Sequence, residues 1–243
     1  MCRICAIFLL GYSLAFSQKV PLTLFTFTDV SKVSEKQIPK NTQNKITVFH
    51  GDPFKLDDRM IEKLNDLKID FAAVGKSILG TRISFMKKNF AKMRFPLFCC
   101  NLLSIDETLP LRGDQTVVWD FEEIKVGAFS VVCQKRANFL KKYQNYLLIS
   151  DSYACQEKIK ELRKQGVEVV IMFAEDAQNA KLLEQLDGVD IMVCLDAKQE
   201  MSFYEGKTLI YHFVNEGSSA HRIDLFLEKR STLKGDVIEL YPF

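Results

Sequence analysis

The chain has 243 residues, of which 47% are hydrophobic and 26% charged, and 33 lysines and arginines nearly balance 31 aspartates and glutamates. This composition excludes a disordered or collagen-like chain, and the small net charge argues against binding to nucleic acid. A chain of this length can bury a large core without disulfides or a structural metal. We therefore expect a single globular domain, which has only three histidines for any chemistry.

The N-terminal segment has the pattern of a secretory signal peptide. A short charged start precedes an almost wholly apolar run, and Ala15 and Ser17 provide the small residues that cleavage requires. The run is short for a transmembrane helix, although an uncleaved anchor is the alternative. We predict a signal peptide over residues 1–17 and one domain over residues 18–243. The mature protein is then secreted or periplasmic and has no membrane span.

Five cysteines would remain after cleavage, and their irregular spacing predicts no disulfide framework. Cys99, Cys100, Cys133 and Cys194 end apolar runs, which favours buried thiols that pack as small hydrophobic groups. A redox pair of the adjacent Cys99 and Cys100 is the less favoured alternative.

Short apolar runs of strand length alternate with helical patterns along most of the chain. Seven runs rich in β-branched or aromatic residues are predicted strands: Leu22–Phe27, Ile46–Phe49, Phe71–Val74, Leu97–Cys100, Lys125–Cys133, Val167–Phe173 and Ile191–Leu195. Three segments with one apolar face are predicted helices: Asp57–Leu67, Ser152–Gln165 and Ala177–Leu186. This order predicts an α/β sheet whose functional groups lie at the carboxyl ends of the strands.

The last part of the chain has a different pattern. Thr208–Val214, Arg222–Leu227 and Val237–Leu240 are three consecutive predicted strands, which suit an antiparallel second sheet. No GxGxxG, Walker A, GxSxG or CxxC motif occurs anywhere, which argues against dinucleotide binding, P-loop hydrolysis, serine hydrolase chemistry and thioredoxin-like redox work.

Polar and charged residues follow the ends of the predicted strands, and they are the candidate functional groups. They stand in the segments "FTDVS", "HGDPF", "VGKSI", "FAEDA" and "CLDAK", and comprise Asp29, Ser31, Asp52, Lys76, Ser77, Glu175, Asp196 and Lys198. Because the carboxyl ends of parallel strands meet at one edge of a sheet, we expect these side chains to converge.

The order of these segments resembles the calcineurin-like metallophosphoesterases, most closely the N-terminal catalytic domain of the secreted 5′-nucleotidases. That family has, in order, DxH, GD, GNHE, an Ala-Asn pair, a KVG strand, a Ser-His pair and GHxH. This chain has "TDVS", "GD", "GKSI", "FCCN", "IKVGAF", "MFAE" and "CLDAK". The resemblance spans roughly Pro21 to Lys229. It implies a four-layer α/β/β/α sandwich of two facing mixed sheets, and we expect the family's C-terminal nucleotide-binding domain to be absent.

The departures from the family pattern fall on its metal ligands and on its catalytic histidine, whose position carries Ser77 here. The resemblance implies that Asp29 and Asp52 match the two metal-binding aspartates. The family's histidine and asparagine positions carry other residues here, namely Ser31, Lys76, Ser77, Glu175, Asp196 and Lys198. A two-metal phosphoesterase uses its ions to generate hydroxide and to stabilise the attacking and leaving oxygens. Without the imidazole ligands, we expect that apparatus not to assemble.

The replaced positions would bring four carboxylates and two ammonium groups together. Asp29, Asp52, Glu175 and Asp196 are the carboxylates, and Lys76 and Lys198 can pair with them in a metal-free network, which we favour. The alternative is one divalent cation (Mn²⁺, Mg²⁺ or Ca²⁺) held by the four carboxylates, because these ions prefer oxygen ligands.

Three hypotheses about function follow, and the third is the least favoured. The favoured one is an exported metallophosphoesterase-like pseudoenzyme that binds an unknown protein or small-molecule partner or has a structural role, with no nucleic acid involved. The alternative is a divergent metal-dependent phosphohydrolase acting on phosphomonoesters, with His50 as the only histidine available as an acid. His212 is expected within a closing strand and His221 on the connection after it. The third hypothesis is an unrelated α/β binding domain.

Overall fold

The computed structural model describes residues 19–27, 44–51, 57–74, 83–104, 116–122, 124–132, 146–174, 186–195, 200–213, 220–232 and 235–242. In chain order, the described elements are β1 (Lys19–Phe27), β2 (Lys45–Gly51), α1 (Asp58–Asp66), β3 (Phe71–Val74), α2 (Ile83–Phe90), β4 (Leu97–Phe98), β5 (Leu102–Ser104), β6 (Val117–Phe121), β7 (Ile124–Val131), β8 (Tyr146–Leu148), α3 (Asp151–Lys164), β9 (Val169–Ala174), β10 (Ile191–Cys194), β11 (Met201–Glu205), β12 (Thr208–His212), β13 (Ala220–Thr232) and β14 (Gly235–Pro242). These strands form two six-stranded sheets and a two-stranded sheet of β5 and β8.

Both large sheets combine parallel and antiparallel strands. The first sheet has the order β14-β13-β1-β2-β3-β4, in which β1 to β4 are parallel and β13 and β14 are antiparallel additions. The second sheet has the order β11-β12-β10-β9-β7-β6, in which the four central strands are parallel and the two edge strands antiparallel. Both sheets are therefore mixed, as the resemblance implies.

The closing strands do not form an antiparallel second sheet of their own, so that prediction was wrong. β12 joins the second sheet, parallel to β10, whereas β13 and β14 extend the first sheet next to β1. The reason is that alternation along a strand specifies which face is buried but not which strand is its partner. His221 was expected on the connection that follows the strand of His212. It lies instead within the next strand, β13.

A continuous apolar core fills the space between the two sheets. In β1, Leu22 and Leu24 pack into this core, while the alternate residues Phe25 and Phe27 pack on the outer face of the same sheet. Because both of its faces are covered, every residue of β1 from Leu22 to Phe27 is buried, as is usual for strands inside parallel sheets.

Helix α1 covers the outer face of the first sheet. The Asp57 carboxylate caps the helix by accepting a hydrogen bond from the Met60 backbone N–H at 2.8 Å. Ile61 and Leu64 lie three residues apart and are buried against the sheet. The chain then turns at Lys68, which has a positive φ of 52°.

Helix α3 covers the outer face of the second sheet with Cys155, Ile159 and Leu162. The helix packs closely on β7, where Gly127 leaves room for Leu162. A Cβ atom added at Gly127 would lie only 2.7 Å from the Leu162 Cδ2 atom. The helix ends before Gly166, whose φ of 79° suits glycine. The layers are therefore helix, sheet, sheet and helix, which confirms the four-layer α/β/β/α sandwich.

Some predictions fall outside the described residues. These are the signal peptide over residues 1–17 and, except for Leu186, the helix Ala177–Leu186. Conversely, α2, β5, β6, β8 and β11 were not predicted. In the described part of the chain, no helix combines the length and apolar character needed to cross a membrane.

Cys99, Cys100 and Cys194 are buried and have free thiols, as predicted. Cys155 is also buried and free, which was not predicted. Cys133 lies outside the described residues. Cys99 packs in the core beneath α1, whereas Cys100 packs in the core beneath α3. The two adjacent thiols therefore face different layers, which disfavours a redox pair between them.

Candidate functional site

The eight candidate residues all lie outside the described residues, but the strands that lead into them are described. Asp29 comes two residues after the end of β1, Asp52 directly after β2, and Lys76 two residues after β3. Phe27 of β1 is in register with Phe49 of β2, so the carboxyl ends of these strands lie at the same edge. The convergence of Asp29, Ser31, Asp52, Lys76 and Ser77 remains a prediction, supported by the order of the strands.

In the second sheet, the remaining candidate residues also follow the carboxyl ends of neighbouring parallel strands. Glu175 follows β9 directly, and Asp196 and Lys198 follow β10, where Cys194 is in register with Ala174. β9 and β10 are parallel neighbours, so their carboxyl ends also lie at one edge of the sheet.

A ring contact shows that these edges of the two sheets lie together. The imidazole of His50, one residue before the end of β2, meets the ring of Phe173 edge-on with centroids 5.5 Å apart. Phe173 comes one residue before the end of β9, so the ends of β2 and β9 meet across the sandwich. Asp52 and Glu175 are the first candidate residues after these two ends.

His50 is buried at this edge rather than open to solvent. Only 2% of its surface is exposed, and its Nδ1 atom has no hydrogen-bond partner among the described residues. Burial, with a smaller contribution from nearby His221, lowers the pKa of His50 to about 3. The imidazole is therefore neutral at pH 7, which disfavours it as the proton donor of the phosphohydrolase hypothesis.

His221 occupies the neighbouring position on the first sheet. It is paired with Thr26 of β1, its ring stacks on Phe213 with centroids 4.2 Å apart, and its Nδ1 atom lies 3.1 Å from Glu200 Oε1. Burial lowers the pKa of His221, and the Glu200 carboxylate opposes this shift. In the neutral ring, an Nδ1–H donated to Glu200 leaves Nε2 as an acceptor.

Three buried polar atoms on this part of the sheet have no hydrogen-bond partner among the described residues: Thr26 Oγ1, His50 Nδ1 and His221 Nε2. The register explains their grouping, because Thr26 is opposite His221 on one side and Val48 on the other, two residues before His50. A buried polar atom without a partner costs about 1–3 kcal/mol. No local sequence pattern indicates this grouping, because it depends on pairing β13 with β1.

Within the described ranges, no three histidine, cysteine or acidic side chains are grouped so that they could hold a metal ion. The family's pair of metals needs imidazole ligands, and His50 and His221 stand at other chain positions than the family's histidines. By residue type, the candidate positions therefore lack the imidazole donors that the resemblance implies for a two-metal site. Oxygen ligands remain at Asp29, Asp52, Glu175 and Asp196, which would suit one hard cation.

Comparison with known proteins identifies the fold. No protein-family model and no curated protein matches the chain. The NAD nucleotidase of Haemophilus influenzae has a TM-score of 0.67 at 11% identity, covering 93% of this chain and 56% of that chain. A 5′-nucleotidase precursor from Thermus thermophilus has a TM-score of 0.64 at 12% identity, covering 91% and 54%. The calcineurin-like phosphoesterase YfkN from Bacillus subtilis has a TM-score of 0.64 at 15% identity, covering 93% and 91%.

The chain spans about half the length of the nucleotidases that it matches, where it covers 54–56% of each, and nearly all of the Bacillus subtilis phosphoesterase, where it covers 91%. At these low identities the similarity shows the fold alone. The chain has the calcineurin-like metallophosphoesterase fold, and it resembles the N-terminal domain of 5′-nucleotidases.

Proposed function

We propose that this chain is an exported metallophosphoesterase-like protein that has lost catalysis and acts as a binding or structural protein. One observation supports it above the others. The strands β1, β2, β3, β9 and β10 are arranged as in the metallophosphoesterase fold, yet six positions that follow these strands carry residue types other than those of the family. These are Ser31, Lys76, Ser77, Glu175, Asp196 and Lys198.

The chemistry of these substitutions disfavours a metal pair. A protonated lysine has three donors and no acceptor, so Lys76 and Lys198 repel a cation instead of binding it. They can instead neutralise two of the four carboxylates contributed by Asp29, Asp52 and the second-sheet residues Glu175 and Asp196. In this proposal, two fixed ammonium groups take the place that cations have in the active relatives of this fold.

The alternative hypothesis is a divergent phosphohydrolase that uses one Mn²⁺, Mg²⁺ or Ca²⁺ ion. The four carboxylates at the candidate positions favour it, because they are the oxygen ligands that such ions prefer. The burial of His50 weighs against it, because that ring was its only candidate acid. A bound ion would still lack the second cation that stabilises both the attacking and the leaving oxygen.

Calorimetric titration of the metal-free protein with Mn²⁺, Mg²⁺, Ca²⁺ and Zn²⁺ separates the two hypotheses. The same titrations on an Asp29→Ala, Asp52→Ala double variant are the matched control. We expect no binding at micromolar affinity, and no hydrolysis of p-nitrophenyl phosphate above that of the double variant with any of the four ions. Micromolar binding that the double variant abolishes, together with turnover, would establish the phosphohydrolase instead.

Restoring the family residues provides a positive control for the fold. The variant Ser31→His, Lys76→Asn, Ser77→His, Glu175→His, Asp196→His, Lys198→His returns the family's imidazole and amide side chains to all six positions. If ligand loss alone explains inactivity, this variant should bind Mn²⁺ or Zn²⁺ where the natural chain does not. A stably folded variant that binds neither ion would show that the strand ends no longer present a metal site at all.

A further inference from the structure

Cys100 and Cys155 bring two sulfur atoms into contact across a layer boundary. Their Sγ atoms lie 3.8 Å apart, although the residues are 55 positions apart in the chain. Cys100 comes two residues after the end of β4, and its backbone N–H donates to the Ser130 carbonyl of β7 at 2.8 Å. Cys155 lies in the second turn of α3. The two thiols therefore meet where the edge of the first sheet contacts the helix that covers the second.

The neighbouring cysteine is held in a different direction. The Cys99 thiol donates to Asn101 Oδ1 at 3.1 Å and packs in the core beneath α1. Closing the gap between Cys100 and Cys155 to the bond length of a disulfide, about 2.05 Å, requires the two sulfur atoms to approach by about 1.8 Å.

We propose that Cys100 and Cys155 form a disulfide that ties α3 to the end of β4. The oxidant is a small-molecule disulfide: one thiolate attacks it and releases one thiol, and the second thiolate displaces the other thiol from the mixed disulfide. Two cysteine thiols thus lose two protons and two electrons, and the oxidant becomes two thiols. The inference rests on the proposed function in one respect: export would bring the chain into an oxidising compartment, which supplies this oxidant.

Burial determines the stage of folding at which the bond forms. Both residues are almost fully buried in the fold, with 5% of Cys100 and 0% of Cys155 exposed. Burial and the contact with Cys155 raise the pKa of the Cys100 thiol, while Lys158 opposes the shift. The thiolate is the reactive form, so the folded thiols exchange slowly and the bond forms while the chain is still folding.

Peptide mapping tests the bond directly. The purified full chain is unfolded, refolded in a buffer of reduced and oxidised glutathione, alkylated and digested with trypsin. We expect a disulfide-linked pair of peptides covering residues 95–112 and 143–158. Because the first peptide contains both Cys99 and Cys100, Cys99→Ala is the matched control and should retain the link. Cys100→Ala should lose it.

Thermal unfolding provides the second readout. A disulfide that closes a loop of this length should raise the Tm, and reduction with dithiothreitol should lower it by about 10 °C. The Cys155→Ala and Cys155→Ser variants should show no such response, whereas Cys194→Ala should respond like the natural chain. The proposal fails if no linked peptide forms, if the link persists in Cys100→Ala, or if reduction leaves the Tm unchanged. None of these outcomes depends on whether the chain binds a metal.

Discussion

The side chain of Asn101 connects segments that are far apart in the chain. Its amide nitrogen donates to the Val132 carbonyl and to Asp151 Oδ1, both at 2.7 Å, and its Oδ1 accepts from the Val132 backbone N–H at 3.1 Å. The Asn101 carbonyl accepts from the backbone N–H of Ile149 at 2.8 Å. Asn101 is fully buried, so it ties the chain after β4 to the end of β7 and the start of α3.

We predict that Asn101→Asp destabilises the protein more than Asn101→Ala. Alanine removes the hydrogen bonds and leaves buried backbone groups without a partner, which costs about 1–3 kcal/mol for each such group. Aspartate keeps the shape but replaces the donor by an oxygen that faces the Val132 carbonyl and the Asp151 carboxylate. Urea unfolding measures both changes in the free energy of unfolding. Equal stability of the aspartate variant and the natural chain would show that these contacts contribute little.

The predicted lysine–carboxylate network also makes a testable claim about single residues. If the network forms, replacing Lys76 or Lys198 by alanine removes the partner of a carboxylate, and breaking a buried pair in this way costs about 3 kcal/mol. Lys160→Ala is the matched control, because Lys160 forms an exposed pair with Glu157 at 2.8 Å, with 57% of the lysine side chain exposed. That control should change the free energy of unfolding by less than about 1 kcal/mol. Unchanged melting of both Lys76→Ala and Lys198→Ala would argue against the network.

At the scale of elements, the sequence predicted individual strands well and their partners poorly. The predicted strand Phe71–Val74 is β3 residue for residue, and the apolar run that contains β7 was found within two residues at either end. Short strands such as β5 have too few residues for a periodic signal. The placement of β13 beside β1 depends on contacts between residues about 200 positions apart, which local patterns cannot reveal. For the same reason the pairing of Thr26 with His221 was missed.

The contact between α3 and β7 depends on a single glycine. Gly127, in the "KVG" segment that contributed to the resemblance, would place an added Cβ 2.7 Å from Leu162 Cδ2 and 3.0 Å from Val167 Cγ1. We predict that Gly127→Ala lowers the free energy of unfolding by about 1–3 kcal/mol, because the buried Leu162 cannot move without disturbing its neighbours. Chemical denaturation measures the loss.

A double-variant cycle with Leu162→Ala shows whether overpacking is the cause. Leu162→Ala alone should cost about 2–5 kcal/mol, since it leaves a cavity. In the Gly127→Ala, Leu162→Ala double variant the new methyl group occupies part of that space, so the total loss should be smaller than the sum of the two single losses. Strictly additive losses would mean that Gly127 matters for another reason, such as the conformation of β7.

At the scale of the whole molecule, the sandwich was implied by the order of motifs, and physical patterns alone predicted only an α/β sheet. The two sheets enclose one apolar core, and the strand ends of both meet at the edge marked by His50 and Phe173. The same arrangement that buries the core therefore also brings the strand ends that precede the candidate residues toward one edge. The proposed loss of ligands at that edge would not touch the residues of this core, so the fold could persist without metal chemistry.

Histidine burial predicts how the stability of the whole molecule depends on pH. His50, His212 and His221 are each less than 10% exposed, and burial lowers the pKa of all three. The unfolded chain therefore takes up protons near pH 6.5 before the native state does, so stability is full above that pH and is lost as the pH falls through it. Between pH 7.5 and 5.5, each histidine that stays neutral in the fold contributes a loss of about 1 kcal/mol in the free energy of unfolding. Urea unfolding at the two pH values measures this loss in the natural chain, and His221→Gln should show a smaller one. A natural chain that is as stable at pH 5.5 as at pH 7.5 would contradict the buried, neutral state of these rings.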